Sequence, residues 1–457
     1  MNLEIKNRLL ITEIPDHICR EIMEKLTFPN PAYADAVKMG RWTGKIPQSL
    51  CFYQNPGNGL VVPRGFLDQA IILARKYGIT YKINDRSRTL LSLNFDFTGT
   101  LKPFQQDAVS DMASHNFGTL SAPTGSGKTV MAMALIAQRR QPTLIIVHTK
   151  ELLNQWIERI EQFLNIPKKE IGIIMGGKKL KIGDKITVGI VNSIYPDAKF
   201  LSQFFGHVIV DECHRCPSRT FTQAVTAFDS RYLLGLSATP YRRDGLSKLI
   251  GWFLGECHHI VDRNVLQSQG DIVSAEVFIK HTRFLSRVDP SGEYSKMLSE
   301  LTQDHARNTQ IAADVVKEAG NGGGTCLVLT DRREHAERLW TLIVRQGIKA
   351  DVLTGDLPST ERQEIIDRLN AGNLPVVVAT GQLIGEGFDC KGLSTLFMAT
   401  PISYEGRVIQ YLGRVLRPAP GKTLARVYDY RDENVGVLRA SADKRQQIYE
   451  NNKWRVT

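Results

Sequence analysis

Ala122-Pro123-Thr124-Gly125-Ser126-Gly127-Lys128-Thr129 follows a small strand-like run at 118–121 and leads into a helix-like run at 130–138. This is the phosphate-binding loop pattern in the strand–loop–helix setting it requires, with Ala122 in place of the first glycine. Gly125 and Gly127 let backbone N–H groups turn inward on phosphate oxygens, Lys128 offers a point charge to the outer phosphates, and the Thr129 hydroxyl suits Mg²⁺. Pro123, Thr124 and Ser126 complete the cradle. Further along, Asp211-Glu212-Cys213-His214 emerges behind the apolar run His207-Val208-Ile209-Val210. Its acids fall at the carboxyl end of a buried strand, where open α/β sheets collect ligands. Asp211 is expected to hold Mg²⁺ directly or through water, and Glu212 to orient and deprotonate an attacking water. Taken alone, the acids also suit a solvated helix cap, and the loop alone also suits a kinase.

Other segments then recur in the order of the superfamily 2 helicases, which the chain resembles from 101 to 417. Leu101-Lys102-Pro103-Phe104-Gln105 resembles the adenine-reading motif, whose glutamine amide can bond both the donor and the acceptor edge of the base. The stretch from Val147 to Trp156 resembles motif Ia, and Ser237-Ala238-Thr239-Pro240 resembles motif III. Buried strand candidates at 326–330, 375–380 and 394–398, separated by helix-length polar stretches, predict a second α/β lobe. Within it Gly385-Glu386-Gly387-Phe388-Asp389 resembles motif V, and Gln410-Tyr411-Leu412-Gly413-Arg414-Val415-Leu416-Arg417 resembles motif VI. Arg414 and Arg417 are expected one helical turn apart on one face, and the resemblance assigns them to the γ-phosphate as arginine fingers. It also implies nucleotide contacts at Gly385 and Asp389, and coupling roles for His214, Ser237, Thr239 and Gln410.

The expected fold is α/β: two tandem RecA-like lobes, each a parallel sheet flanked by helices, with a small N-terminal α/β module. Residues 1–95 form the module, 96–255 the first lobe, 256–300 a turn-rich connection with Asp289-Pro290-Ser291-Gly292, and 301–457 the second lobe. In the module, turn signals at 55–59 and the phrase Val62-Pro63-Arg64-Gly65 precede a helical pattern at 66–77. That layout resembles the N-terminal region of XPB-like and UvsW-like DNA helicases, where such a module engages duplex or damaged DNA; packing against the first lobe is the alternative.

The 457 residues suffice for about three domains, and 42% hydrophobic residues can build full cores. A net charge of +11 suits a polyanionic partner without distinguishing DNA, RNA or a membrane surface. The densest basic spots are Lys178-Lys179-Leu180-Lys181 with Lys185, and Arg242-Arg243. Seven dispersed cysteines suggest reduced thiols in a cytoplasmic compartment. Cys213 and Cys216 lack a second pair at zinc spacing. No apolar run approaches the roughly 18 residues of a membrane span, and no basic-then-apolar leader opens the chain.

His214 at the end of the acidic box favours the DEAH-like branches over the DEAD-box RNA group. Tyr241-Arg242-Arg243-Asp244-Gly245 departs from the element expected there in XPB-like proteins by placing Arg243 where an acid belongs. The resemblance implies an ATP- and Mg²⁺-dependent motor. Its lobes would close on the nucleotide and grip nucleic acid by its phosphates through motif Ia, the Thr354-Gly355 region and motif V. The track implied is DNA with little sequence preference, polarity 3′ to 5′, in repair, recombination or fork remodelling. Rivals are the motor subunit of a restriction or defence complex, an RNA helicase, and a binding protein with a decayed motor; the presence of Lys128, Asp211, Glu212 and Arg417 disfavours the last.

Overall fold

Continuous apolar runs, rather than alternating ones, mark strands covered on both faces. Thr143–Val147 and His207–Val210 are buried at every position, as are Thr325–Thr330 and Leu393–Met398. The structure, a computed structural model, describes residues 1–457 except 39, 41, 177–179, 216–218, 239–246, 291, 323, 382–389, 391, 403–404, 420–421 and 453. The chain divides into two compact units, Met1–Ala122 with Gly127–Val261, and Asp262–Thr457 with Pro123–Ser126.

The first unit begins with β1 (Asn2–Ile5), β2 (Arg8–Thr12), β3 (Thr27–Pro29), β4 (Ser49–Cys51), β5 (Leu60–Pro63) and β6 (Lys82–Asp85). A four-stranded sheet runs β5-β2-β1-β6, and β3 and β4 pair separately. β1 is antiparallel to β2 and parallel to β6. The helix Leu67–Lys76 buries Ala70, Leu73 and Ala74 against this layer. Its start differs from the expected helix at 66–77, because Arg64–Phe66 forms a separate 3₁₀ turn.

A seven-stranded parallel sheet follows, made of β7 (Phe117–Ser121), β8 (Thr143–Val147), β9 (Gly172–Ile174), β10 (Ile186–Ile190), β11 (His207–Val210), β12 (Tyr232–Ser237) and β13 (Cys257–Ile260). Its order is β13-β7-β12-β11-β8-β10-β9. β7, β12 and β11 are adjacent and parallel, with Ser121 opposite Ser237 and Gly235 opposite Val210. The segments after Ser121, Val210 and Ser237 therefore leave one edge of the sheet together.

The N-terminal layer shares a hydrophobic core with this sheet: Leu3, Ile11, Phe66 and Leu73 belong to the same buried cluster as Leu144, Ile146, Val208 and Leu254. Trp252 is its keystone, with the rings of Phe28, Phe52 and Phe66 at 5.2, 5.8 and 6.2 Å. Arg64 is buried, and its Nη1 donates to the Ser230 carbonyl at 2.6 Å. Gly65 lies so close that a Cβ there would meet Trp252 O at 2.7 Å and Gly255 N at 2.6 Å. The phrase Val62-Pro63-Arg64-Gly65 is thus a docking element between the module and the first sheet.

The second unit holds another seven-stranded parallel sheet. Its strands are β14 (Ser274–His281), β15 (Thr325–Thr330), β16 (Ala350–Leu353), β17 (Val376–Thr380), β18 (Leu393–Met398), β19 (Leu424–Arg431) and β20 (Arg455–Val456), in the order β16-β17-β15-β18-β19-β14-β20. One face packs around Leu327, Val377, Leu396 and Val427, the other around Val328, Val376, Phe397 and Tyr428. The stretch 256–300, read from sequence as a connection, contributes β13 to one sheet and the whole of β14, with its eight pairs to β19, to the other. Among the described residues no helix is long and apolar enough to cross a membrane.

Candidate active site

The loop after β7 is shaped by its glycines. Gly125 and Gly127 sit at φ +91° and +82°, a left-handed conformation that costs glycine little and a side chain more. Gly127 ends the loop as the residue capping the helix Lys128–Arg139, so Lys128 and Thr129 open that helix where unpaired N–H groups and the dipole favour an anion. Ser126 is buried, and its hydroxyl donates to the Pro123 carbonyl at 2.7 Å. The Ala122 N–H donates to the Ser237 carbonyl at 2.9 Å, fixing the loop's first residue to β12. Lys128 Nζ donates to the Ala122 carbonyl at 2.9 Å, which arches the ammonium back over the loop.

Gln105 lies in the first turn of the helix Pro103–Ala113 and is buried. Its Oε1 accepts the Lys102 N–H at 2.9 Å, while its Nε2 abuts Gly127 so closely that a methyl group there would collide with it. The residue expected to read adenine therefore also supports the phosphate loop.

The two acids follow β11 directly. Asp211 is buried; its Oδ1 accepts the Glu212 N–H at 2.9 Å and its Oδ2 accepts the Trp156 indole N–H at 2.8 Å. Burial, and then the neighbouring Glu212 charge, push the Asp211 carboxyl up to about 6 against the pull of Trp156 and Lys128. A divalent cation would relieve that penalty, so Asp211, with the Thr129 hydroxyl, fits the donor set Mg²⁺ prefers. Glu212 has φ +49°, a left-handed conformation that non-glycine residues occupy at a cost and that clusters at functional sites. It turns the carboxylate toward His214, whose Nδ1 lies 3.2 Å from Glu212 Oε2 and 3.2 Å from Ser237 Oγ. His214 and Ser237 are both buried. One imidazole thus links the second acid to the end of β12. Burial, followed by the two carboxylates, holds the Cys213 thiol well above its usual range, which keeps it a protonated core residue.

The structure thus gathers Gln105, Gly127, Lys128, Asp211, Glu212, His214 and Ser237 within one unit. Arg414 and Arg417 belong to the second unit. Arg414 lies in the last turn of the helix Glu405–Val415, but Arg417 lies beyond its end, so the two are not successive turns of one helix face as expected. Pro418 explains the difference, since it disfavours helical geometry at the residue before it. Lys422 Nζ donates to the Arg417 carbonyl at 2.9 Å and to those of Val415 and Leu393, pinning the segment after the helix. Thr239, Gly385, Asp389, Lys178, Arg242 and Arg243 lie outside the described residues, as does the side chain of Gln410. Sequence reasoning passed over Trp156: it stands in motif Ia, and only the fold brings it to Asp211.

Two family models match the chain. Residues 98–242 match the type III restriction enzyme res subunit, and residues 309–419 match the helicase conserved C-terminal domain. Probable helicase D10 of Escherichia phage T5 is 28% identical over 340 residues, 74% of this chain and 72% of that one. The DNA 3'-5' translocase XPB2 of Sulfurisphaera tokodaii is 26% identical over 382 residues, 75% of this chain and 85% of that one. A protein of Acanthamoeba polyphaga mimivirus with the provisional name ATP-dependent RNA helicase L396 is 26% identical over 381 residues, 79% of this chain and 69% of that one. Among solved structures, S. cerevisiae Dbp5 bound to RNA and ADP BeF3 matches with a TM-score of 0.56 at 14% identity, over 79% of this chain and 90% of that one, a likeness of fold.

Proposed function

Because the chain is a superfamily 2 helicase, an ATP-hydrolysing motor that acts on nucleic acid, we propose that it is a DNA translocase moving 3′ to 5′. The observation that carries this reading is the chain of contacts from buried Asp211 through half-buried Glu212 to buried His214 and Ser237, which joins the acid pair to the adjoining strand end. Gln105 contacts adenine; Pro123 to Gly127 wrap the phosphates; Lys128 neutralises the outer ones. Thr129 and Asp211 would hold Mg²⁺, whose charge would offset that of the phosphates. Glu212 takes the proton of the attacking water, and its strained backbone fixes the direction in which it presents its carboxylate. Arg414 and Arg417 meet charge developing on the γ-phosphate, assisted by Gly385 and Asp389.

Coupling then follows from connectivity. His214 senses the state of Glu212 and passes it to Ser237 and the adjoining Thr239, with Gln410 answering from the second lobe. Nucleic acid is held through phosphates, so sequence preference is slight. Residues 1–95 form a module that engages duplex DNA while docked on the first lobe (96–255), and the chain passes to the second lobe, 301–457, through 256–300, whose β13 and β14 belong to the two sheets. The DNA and polarity readings draw support from the likeness to the translocase of Sulfurisphaera tokodaii; the role proposed with them is repair, recombination or fork remodelling. The motor subunit of a restriction complex is a second reading, favoured by the family matched at 98–242.

Steady-state ATPase measured alone and with single-stranded, duplex or forked DNA, or RNA, at fixed salt tests the proposal. Stimulation by DNA well above that by RNA, with displacement of strands only from 3′-tailed substrates, is the expected result. Stimulation by RNA alone sinks the DNA track, and DNA stimulation that requires a second purified chain favours the restriction-complex reading.

A further inference from the structure

The helix Lys150–Leu164 follows the motif Ia strand and is held at its start by Thr149, whose hydroxyl accepts the Leu152 N–H at 3.3 Å. Its inner face buries Leu153, Trp156, Ile157, Ile160 and Leu164. Four of these five are aliphatic. Trp156 is the exception, and its Nε1 donates to Asp211 Oδ2 at 2.8 Å from 55 positions away. An indole N–H can donate but not accept and carries no charge, so it directs a carboxylate without neutralising it or competing as a base. The second oxygen, Oδ1, is directed by the Glu212 N–H at 2.9 Å. With one donor on each oxygen, the Asp211 carboxylate is fixed in rotation, and the lone pairs not facing those donors are the ones left to receive a cation.

We propose that Trp156 is a positioning residue for the nucleotide-bound metal: it sets the rotation of the Asp211 carboxylate and so the affinity of the site for Mg²⁺ with nucleotide. This rests on the assignment of Asp211 as a metal ligand. A phenylalanine at 156 keeps most of the ring's volume but removes the donor, leaving the carboxylate oriented at Oδ1 alone.

The test is the Mg²⁺ dependence of fluorescent ADP binding at equilibrium, which needs no turnover, in Trp156→Phe, Asp211→Asn and Ile160→Val, with thermal unfolding of each apoprotein. Loss of a hydrogen-bonding partner behind a metal ligand typically costs about 10–100-fold in metal affinity. Trp156→Phe is expected to raise the Mg²⁺ concentration for half-maximal nucleotide binding by about tenfold or more, whereas Ile160→Val, which trims the same helix face, leaves it unchanged. If Asp211→Asn raises the requirement and Trp156→Phe does not, the inference is overturned while the metal assignment stands. If Asp211→Asn itself has no effect, the metal assignment falls first. Should Trp156→Phe fail to fold, ¹⁵N-indole spectra of the wild-type protein decide: one of the five tryptophan signals must move when Mg²⁺ and ADP are added together and stay still in Asp211→Asn. No such signal also overturns the inference.

Discussion

Glu212→Gln separates chemistry from binding at this site. The substitution is isosteric, so the left-handed backbone at φ +49° is retained, and neither residue suits that conformation better. Stability should therefore change by less than about 0.5 kcal/mol. What is lost is the base: a carboxamide cannot take the proton of the attacking water, and general-base assistance contributes about 10²–10⁴-fold, or about 3–5 kcal/mol of barrier at roughly 1.4 kcal/mol per decade. What is gained is relief for Asp211, whose carboxyl is raised by burial and then by the Glu212 charge; without that charge Asp211 ionises more readily and holds Mg²⁺ with nucleotide at least as well. His214 retains the Ser237 hydroxyl at 3.2 Å when the carboxylate partner goes. The expected variant turns over ATP about a hundredfold or more slowly yet binds a fluorescent ATP analogue with wild-type affinity, measured by steady-state hydrolysis and equilibrium titration on one preparation. Turnover within threefold of wild type would refute the assignment of the base. Binding lost in parallel with turnover would show that Glu212 instead builds the nucleotide pocket.

Three further outcomes follow from particular contacts. Gly127→Ala forces a methyl into the left-handed region, at about 1–2 kcal/mol, and against Gln105 Nε2; the KM for ATP should rise about tenfold, and an unchanged KM would mean that Gln105 does not brace the loop. Gly65→Ala places a methyl against the main chain of Gly251, Trp252 and Gly255, where nothing flexible can yield, so thermal unfolding should report a loss of about 1–3 kcal/mol; a wild-type melting curve would contradict the docking of the N-terminal layer. His335 is buried between Thr330 Oγ1 and Asn308 Oδ1, both at 2.8 Å, and burial, then Arg307 and Arg338, lower its pKa from 6.5 to about 3. The unfolded chain binds the proton that the folded one refuses, so stability is lost as pH falls through the window from 6.5 towards 3; at pH 5 the loss is about 2 kcal/mol. Urea titrations at pH 7 and pH 5 should show that difference shrinking in His335→Gln, and parallel behaviour of the two proteins would refute it.

The candidate nucleotide site was legible because its proposed chemistry is written in contiguous residues. The phosphate contacts proposed come from backbone N–H groups of one short loop, so Gly125, Gly127 and Lys128 mark the candidate without any tertiary information, and the buried strand before Asp211 announces the second segment by its unbroken apolar character. The central strands of the second unit were readable for the same reason: the expected runs at 326–330, 375–380 and 394–398 fall within one residue of β15, β17 and β18. β14, β16, β19 and β20 escaped notice: β16 and β20 close the two edges of the sheet, and β19 interrupts its apolar run with Arg426, Asp429 and Arg431. β14 alternates half-buried and buried positions over its first four residues and is nowhere buried over its last four, and β20 has two residues. Arg417 leaves the helix because Pro418 follows it, a rule that was available in the sequence but was outweighed by the spacing of the motif.

What no local pattern could carry is the meeting of residues far apart in the chain. Arg64 reads as an exposed cation in a basic protein, and only the fold shows it buried against the Ser230 carbonyl, 166 positions away. Trp156 reads as one more apolar residue on an amphipathic helix until the fold sets its N–H on Asp211. Both are large side chains that combine an apolar body with a donor, so burial satisfies a hydrophobic pattern and a distant acceptor at once. Hydrophobic periodicity registers the first property and is blind to the second. Residues that position the candidate site should therefore be sought among buried side chains of this mixed character, such as Trp156, where sequence patterns register packing alone.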